Sequence, residues 1–317
     1  MNSIEKITVP IEIRALKTAN IYHVSGEANY IVDTGMSENS YRELKNVVEL
    51  DKIDFCIITH LHIDHIGGAL YLTRNHGIPV YISENDYNAI KYITDNENEY
   101  FRDYRTLMIS NGVPEDLFKN ILEGNPIIKF INYYSALDLN IIRDFNLKDT
   151  EIIDVPGHSP GSVAIYLRDI QIMITGDHVL KNISPNISVY SNGVDYLGMY
   201  IESLKKIQKY VVKTGYPGHR DNIYDFSGRI DEIIQHHHRR IQAMKSHLSD
   251  WITAFELAST IEWSKNRKLM DMNYMEQNFA VMETIAHLKY MENNGIIENR
   301  YINNDICLII GFIHFCY

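Results

Sequence analysis

The chain has 317 residues, 45% of them apolar, and a formal net charge of −11. That length suits one large α/β domain with a small appendage. No stretch approaches the ~18 consecutive apolar residues of a membrane span, and the acidic balance argues against broad nucleic-acid binding, which rests on neutralising phosphates.

Met1 to Leu16 lacks the basic start and apolar block of a signal peptide, so a cytoplasmic location is the default expectation. The three cysteines, Cys56, Cys307 and Cys316, contain no CxxC pair. A disulfide framework is not expected; Cys56, inside an apolar run, reads as a buried thiol. Short apolar or alternating runs at Ile7–Ile13, Asn20–Val24 and Asn29–Asp33 predict strands, the third ending in the turn Asp33-Thr-Gly35. Ser40–Leu50 has helical spacing, and Asp54–Thr59 reads as a buried strand. Ala69–Asn75 is expected to be helical and Val80–Ile82 a strand.

From about 85 to 125 charged and aromatic residues recur at helical spacing, with a helix start at Pro114-Glu-Asp-Leu-Phe118. This stretch is read as a helical insertion. Strands resume near Ile141 and at Glu151–Val155, Val163–Leu167 and Ile170–Thr175. Asp195–Tyr210 reads as an amphipathic helix, Val211–Tyr216 as a last strand and Phe226–Leu248 as a long helix. A boundary is placed after Ser249, giving domains 1–249 and 250–317. In the second, Thr253-Ala-Phe-Glu256 fits a capping box. Glu276–Asn293 is a helix closed by Gly295, and Ile296–Arg300 with Ile306–Ile310 suggest a hairpin. Helix, helix and hairpin together suggest a small winged-helix-like domain.

The chemistry is concentrated in the run His60-Leu-His62-Ile-Asp64-His65, directly after a predicted strand. In extended backbone His60 and His62 point to the same side. Three imidazoles and a carboxylate in six residues are poor core filling, but they are the donors a borderline metal such as zinc prefers. Three later motifs each place a His or Asp next to glycine at a strand end: Gly157-His-Ser-Pro-Gly-Ser162, Thr175-Gly-Asp-His-Val179 and Tyr216-Pro-Gly-His219.

In this order the motifs resemble the metallo-β-lactamase superfamily, from Asn20 to about Asp225. The resemblance implies a four-layer αβ/βα sandwich and two divalent metal ions, zinc foremost, with iron or manganese compatible. It assigns His60, His62 and His158 to a first metal and Asp64, His65 and His219 to a second. Asp177 would bridge them, and Asp33 would orient the ligand loop. Asp64 is also the candidate for orienting the nucleophile or carrying a proton. The stretches Gly176–Ile187 and Arg229–Arg240 narrow the resemblance to a glyoxalase II-like group with a C-terminal winged-helix-like domain; within them Asn186 and His237 are candidates for the substrate cleft.

The implied activity is metal-assisted hydrolysis of a thioester or ester on a small-molecule substrate. Three alternatives stay open: a metal-dependent phosphodiesterase or endoribonuclease, a non-catalytic binding or regulatory protein, and a mononuclear iron persulfide dioxygenase. His236-His-His238 lies on a helix whose faces point three ways, which argues against a shared metal. From Trp251 to Tyr317 five Lys/Arg stand against eight Asp/Glu, so a packing or oligomerisation role is favoured over DNA binding. The apolar end Ile309–Tyr317 leaves a homo-oligomer open.

Overall fold

Strand β1 (Ser3–Pro10) alternates polar and apolar residues and buries Ile7 and Val9. It pairs antiparallel with β2 (Thr18–Ser25), which pairs antiparallel with β3 (Asn29–Val32). Then β4 (Phe55–Ile57), β5 (Val80–Ile82) and β6 (Asn140–Ile141) add in parallel, giving a six-stranded sheet in sequential order. Parallel neighbours need crossovers; helices Glu38–Val47 and Ala69–His76 supply two of them. The computed structural model describes all residues except 14, 144, 146, 249, 250, 264–266, 303, 304 and 311–317, with backbone alone at 301, 302 and 305–310.

A second sheet has the order β10 (Thr214–Pro217), β9 (Ile172–Gly176), β8 (Val163–Leu167), β7 (Thr150–Asp154). Its pairs are antiparallel except β9 with β10. The two sheets share one core. Tyr22, Val24, Tyr30, Val32 and Ile57 of the first meet Ile165, Leu167 and Ile174 of the second, and all are buried. Burying such a side chain contributes about 1.5–3 kcal/mol. The free thiol of Cys56 is buried, as its apolar run implied.

Several boundaries differ from the sequence reading. The first strand stops at Pro10 rather than Ile13. The last strand of this sheet pair begins at Thr214 rather than Val211, whose carbonyl instead accepts the Tyr166 hydroxyl at 2.7 Å.

The described chain forms two compact units that are not consecutive stretches. The first comprises Met1–Asp95, Phe130–Pro185 and Tyr200–Ile233; the second comprises Asn96–Lys129, Asn186–Met199 and Ile234–Tyr317. The helix-rich stretch is therefore divided. Helix Glu84–Asp95 lies in the first unit, and helices Glu97–Ser110 and Glu115–Gly124 lie in the second.

In the second unit Tyr104 donates to Asn278 Oδ1 at 2.6 Å and Phe255 N–H donates to Asn111 O at 3.0 Å, tying these helices to the C-terminal part. Helix Ala254–Thr260 starts on the expected Thr253–Glu256 capping box, and helix Tyr274–Asn293 on a second one, Asn273 with Glu276. Gly295, at φ +65°, follows that helix. Hairpin β12 (Ile297–Ile302) with β13 (Asp305–Ile310) takes β11 (Ile252–Thr253) as a third strand. The expected boundary at Ser249 and the tail 311–317 fall outside the described residues. Among the described residues no helix is long and apolar enough to cross a membrane.

Of His236, His237 and His238 only His237 is buried. Its Nδ1 faces His287 Nε2 at 3.1 Å, and His287 Nδ1 faces the Glu283 carbonyl at 2.7 Å. The carbonyl can only accept, so the proton of His287 sits on Nδ1, and its Nε2 accepts from His237. Burial holds His287 down at about 3. The unfolded chain takes up this proton as pH falls through about 6.5, whereas the folded chain does not until about 3. The native state thus binds fewer protons in that window, and stability is lost on acidification.

Between pH 7 and 5 this imidazole is expected to cost about 2 kcal/mol. Both tryptophans, Trp251 and Trp263, lie in this unit, so their fluorescence in guanidinium titrations reads its unfolding. His287→Gln should flatten the pH slope by about one proton; an unchanged slope contradicts the assignment.

Candidate metal centre

Every predicted ligand lies beyond the C-terminal end of a strand, the edge where open α/β sheets place their sites. His60, His62, Asp64 and His65 follow β4, His158 follows β7, Asp177 follows β9 and His219 follows β10. His62 is the N-cap of the short helix Ile63–Ile66, which turns Asp64 and His65 back toward the histidines before it. At the base, Gly218 lets backbone come close: a Cβ there would stand 2.5 Å from the His65 ring and 2.6 Å from Asp177 Oδ1.

The seven side chains form three overlapping groups: His60, His62 and His158; His60, His65 and Asp177; Asp64, His65 and His219. Within each group the potential ligand atoms lie within 4.8 Å of one another. The Asp177 carboxylate spans the cluster. Its Oδ1 is 3.4 Å from His65 Nε2, and its Oδ2 is 3.4 Å from His219 Nε2 and 3.9 Å from His158 Nε2. Asp64 Oδ2 is 3.2 Å from His219 Nε2. All but His62, which is half-buried, are buried.

The fold fixes the tautomers. His65 Nδ1 donates to Asp33 Oδ2 at 2.8 Å, and His219 Nδ1 donates to the Thr18 carbonyl at 2.7 Å. Thr59 Oγ1 donates to Asp33 Oδ2 at 2.8 Å, so it can accept from His60 Nδ1 at 3.1 Å. In the neutral form of each imidazole Nε2 is then the nitrogen left with a lone pair. His60 Nε2 faces His62 Nδ1 at 3.0 Å. Two lone pairs at that distance repel unless a proton or a cation lies between them.

Charge follows the same division. Burial would lower His219, but Asp177 and Asp64 override it and push it up to about 10. Burial opposes charging His65 too, and Asp177 with Asp33 holds it well above the ordinary imidazole range. Burial disfavours ionised Asp64, yet the adjacent His219 and the charge of His65 hold it at about 2. Burial, reinforced by neighbouring imidazoles, keeps His60 well below the usual range and His62 at about 3. One end of the cluster is thus rich in neutral nitrogen donors and the other in paired carboxylates.

A divalent cation fits this donor set. His65 Nε2, His219 Nε2 and Asp177 Oδ1 are buried and make no hydrogen bond, a costly state for polar atoms in a protein interior. They gather where nitrogen and oxygen donors face one another at 3.2–3.9 Å.

Asp33 carries the support. It takes φ +63°, a conformation that costs a non-glycine residue energy. There its carboxylate accepts Thr59 N–H at 2.7 Å, Thr59 Oγ1 and His65 Nδ1. Asn186 and His237 belong to the second unit and to none of the three clustered groups. Asn186 donates to Glu283 Oε2 at 2.8 Å and to the Phe279 carbonyl, and His237 pairs with His287.

One residue escaped the sequence reading. Asp86, in the first turn of helix Glu84–Asp95, is wholly buried, and its carboxylate accepts Leu61 N–H, Ser159 Oγ and Gly161 N–H. A single acidic residue at a helix start is ordinary in a sequence, and two of its three donors are backbone groups that leave no trace there.

The model of the Metallo-beta-lactamase superfamily matches residues 16–219, and the chain belongs to that superfamily. The fold agrees. A metallo-beta-lactamase family protein from Thermus thermophilus superposes with a TM-score of 0.79 at 23% identity, covering 97% of this chain and 98% of that one. A beta-lactamase domain protein from Burkholderia ambifaria gives 0.78 at 19% identity, covering 97% and 92%.

Among curated relatives, an atrochrysone carboxyl ACP thioesterase of Aspergillus fumigatus is 23% identical over 71% of this chain and 58% of its own length. A probable metallo-hydrolase of Bacillus subtilis is 31% identical over 38% and 47% respectively. The chain spans about half the length of these two relatives.

Asp33→Ala would leave three buried donors without an acceptor. It is expected to cost about 3–5 kcal/mol, read by guanidinium unfolding followed by circular dichroism in excess chelator. A loss under about 1 kcal/mol would contradict the role given to Asp33.

Proposed function

We propose that the chain is a dinuclear metal-dependent hydrolase acting on a thioester or ester of a small molecule. The observation that carries this reading is the convergence of seven side chains into overlapping groups spanned by the Asp177 carboxylate. His60, His62 and His158 would hold one ion, Asp64, His65 and His219 the other, and Asp177 would lie between. Zinc is the expected metal, with iron and manganese compatible with the same donors. When bound, a pair of divalent ions supplies hydroxide from water near neutral pH and polarises a carbonyl.

The chain's own part is orientation and proton control. Asp33, Thr18 O and Thr59 spend the Nδ1 protons of His65, His219 and His60, so their Nε2 atoms face the centre. Asp64 is held ionised beside His219, which suits a carboxylate that binds a cation and orients a nucleophile. Six of the seven side chains are buried and His62 is half-buried. The thioester class draws support from the name of the Aspergillus fumigatus relative, and a glyoxalase II-like chemistry is of that class.

We read 250–317 as a winged-helix-like appendage with a packing role. Two helices and a three-stranded sheet support the architecture. Helix Tyr274–Asn293 buries residues on most of its faces, which leaves little to lay in a DNA groove.

Metal analysis of gently purified protein should find about two divalent ions per chain. On a panel of thioesters, lactones and RNA, the wild type should hydrolyse thioesters or esters. His60→Ala and Asp177→Ala should each lose more than the about 100-fold that outer partners of a metal site cost. Equal activity in wild type and both variants would contradict the mechanism, and cleavage of RNA alone would contradict the substrate class.

A further inference from the structure

We propose that Asp86 is a positioning residue of this centre: it ties the loop carrying His60 and His62 to the loop carrying His158, and so sets the distance between their imidazoles. The inference rests on the metal-centre reading above. Leu61, whose N–H donates to Asp86 Oδ2 at 2.8 Å, stands between His60 and His62. Ser159, whose Oγ donates to the same oxygen at 2.8 Å, follows His158 directly. Gly161 N–H donates to Oδ1 at 2.6 Å. Every one of these donors comes from a ligand loop, and the carboxylate is buried with them.

The surroundings commit the proton positions. Ser162 Oγ accepts Ser159 N–H at 3.1 Å and lies 2.7 Å from Ser159 Oγ. Because Ser159 Oγ gives its proton to Asp86, Ser162 Oγ must donate to Ser159. The relay Ser162 to Ser159 to Asp86 ends on an acceptor-only group. Asp86 is held in turn by its own N–H, which donates to Ser83 Oγ at 3.3 Å. The approach is close enough to need glycine at 161, where a Cβ would stand 2.1 Å from Ser83 Oγ and 2.5 Å from Asp86 N.

An amide cannot replace this carboxylate. In one flip of the side chain in Asp86→Asn, the NH2 faces Leu61 N–H and Ser159 Oγ; in the other it faces Gly161 N–H. Either way a donor meets a donor in a buried place, and the two loops are pushed apart at the subsite of His60, His62 and His158. The subsite of Asp64, His65 and His219 is braced separately by Asp33 and Thr18 O. Loss of Asp86 should therefore act on one metal site and spare the other, which a general loss of folding would not do.

The test is cobalt titration of metal-free wild type, Asp86→Asn and Ser159→Ala, followed by visible absorption, with circular dichroism of each metal-free protein. In Asp86→Asn one of the two cobalt sites should weaken by about 10–100-fold with an altered ligand-field band, while the other keeps its affinity. Ser159→Ala, which removes one bond of three, should show a smaller change at the same site. A folded Asp86→Asn with wild-type affinity and spectrum at both sites overturns the role of Asp86. Should Asp86→Asn not fold, wild-type cobalt binding by Ser159→Ala overturns it equally. Wild-type protein that takes up no cobalt overturns the metal-centre reading instead.

Discussion

The Asp33 carboxylate accepts from Thr59 N–H, Thr59 Oγ1 and His65 Nδ1 while its own backbone sits at φ +63°. Much of the site's geometry follows from that arrangement. It joins the end of β3 to the loop after β4, sets the tautomer of His65 directly and, through Thr59, that of His60. A buried carboxylate is expensive unless it is fully hydrogen-bonded. Here the satisfied carboxylate determines which nitrogen of each ring is left over.

Around that hub the ligand loops are braced from different sides. Asp33 holds the loop after β4 from the first sheet, Thr18 O holds His219 from β2, and Asp86 holds the loops of His60–His62 and His158 from a helix start. In each case the polar atoms spent on the fold are the ones pointing away from the cluster. Three buried atoms that make no hydrogen bond, His65 Nε2, His219 Nε2 and Asp177 Oδ1, lie within it. Such an arrangement is costly empty and favourable around a cation.

Much of this site was legible in the sequence, for an identifiable reason. His60 to His65 compresses four donors into six residues, so local spacing alone betrays them. His158, Asp177 and His219 were legible only as His or Asp beside glycine after apolar runs, and the resemblance supplied their order. The Thr253–Glu256 capping box and the Gly295 helix stop were readable because their partners are near in sequence. Asp86 was not, because its partners are 25, 73 and 75 residues away and mostly backbone. Sheet order and the division into two discontinuous units depend on long-range packing, which no local pattern encodes. Strand ends shifted for a similar reason: partner register, rather than hydropathy, decides where pairing stops.

The most direct test of the two-ion centre is anomalous diffraction from crystals of the metal-loaded protein, collected at the absorption edge of the bound metal. Two peaks are expected about 3.5–4 Å apart, one beside His60, His62 and His158, the other beside Asp64, His65 and His219, with Asp177 near both. A single peak, or peaks away from Asp177, would contradict it.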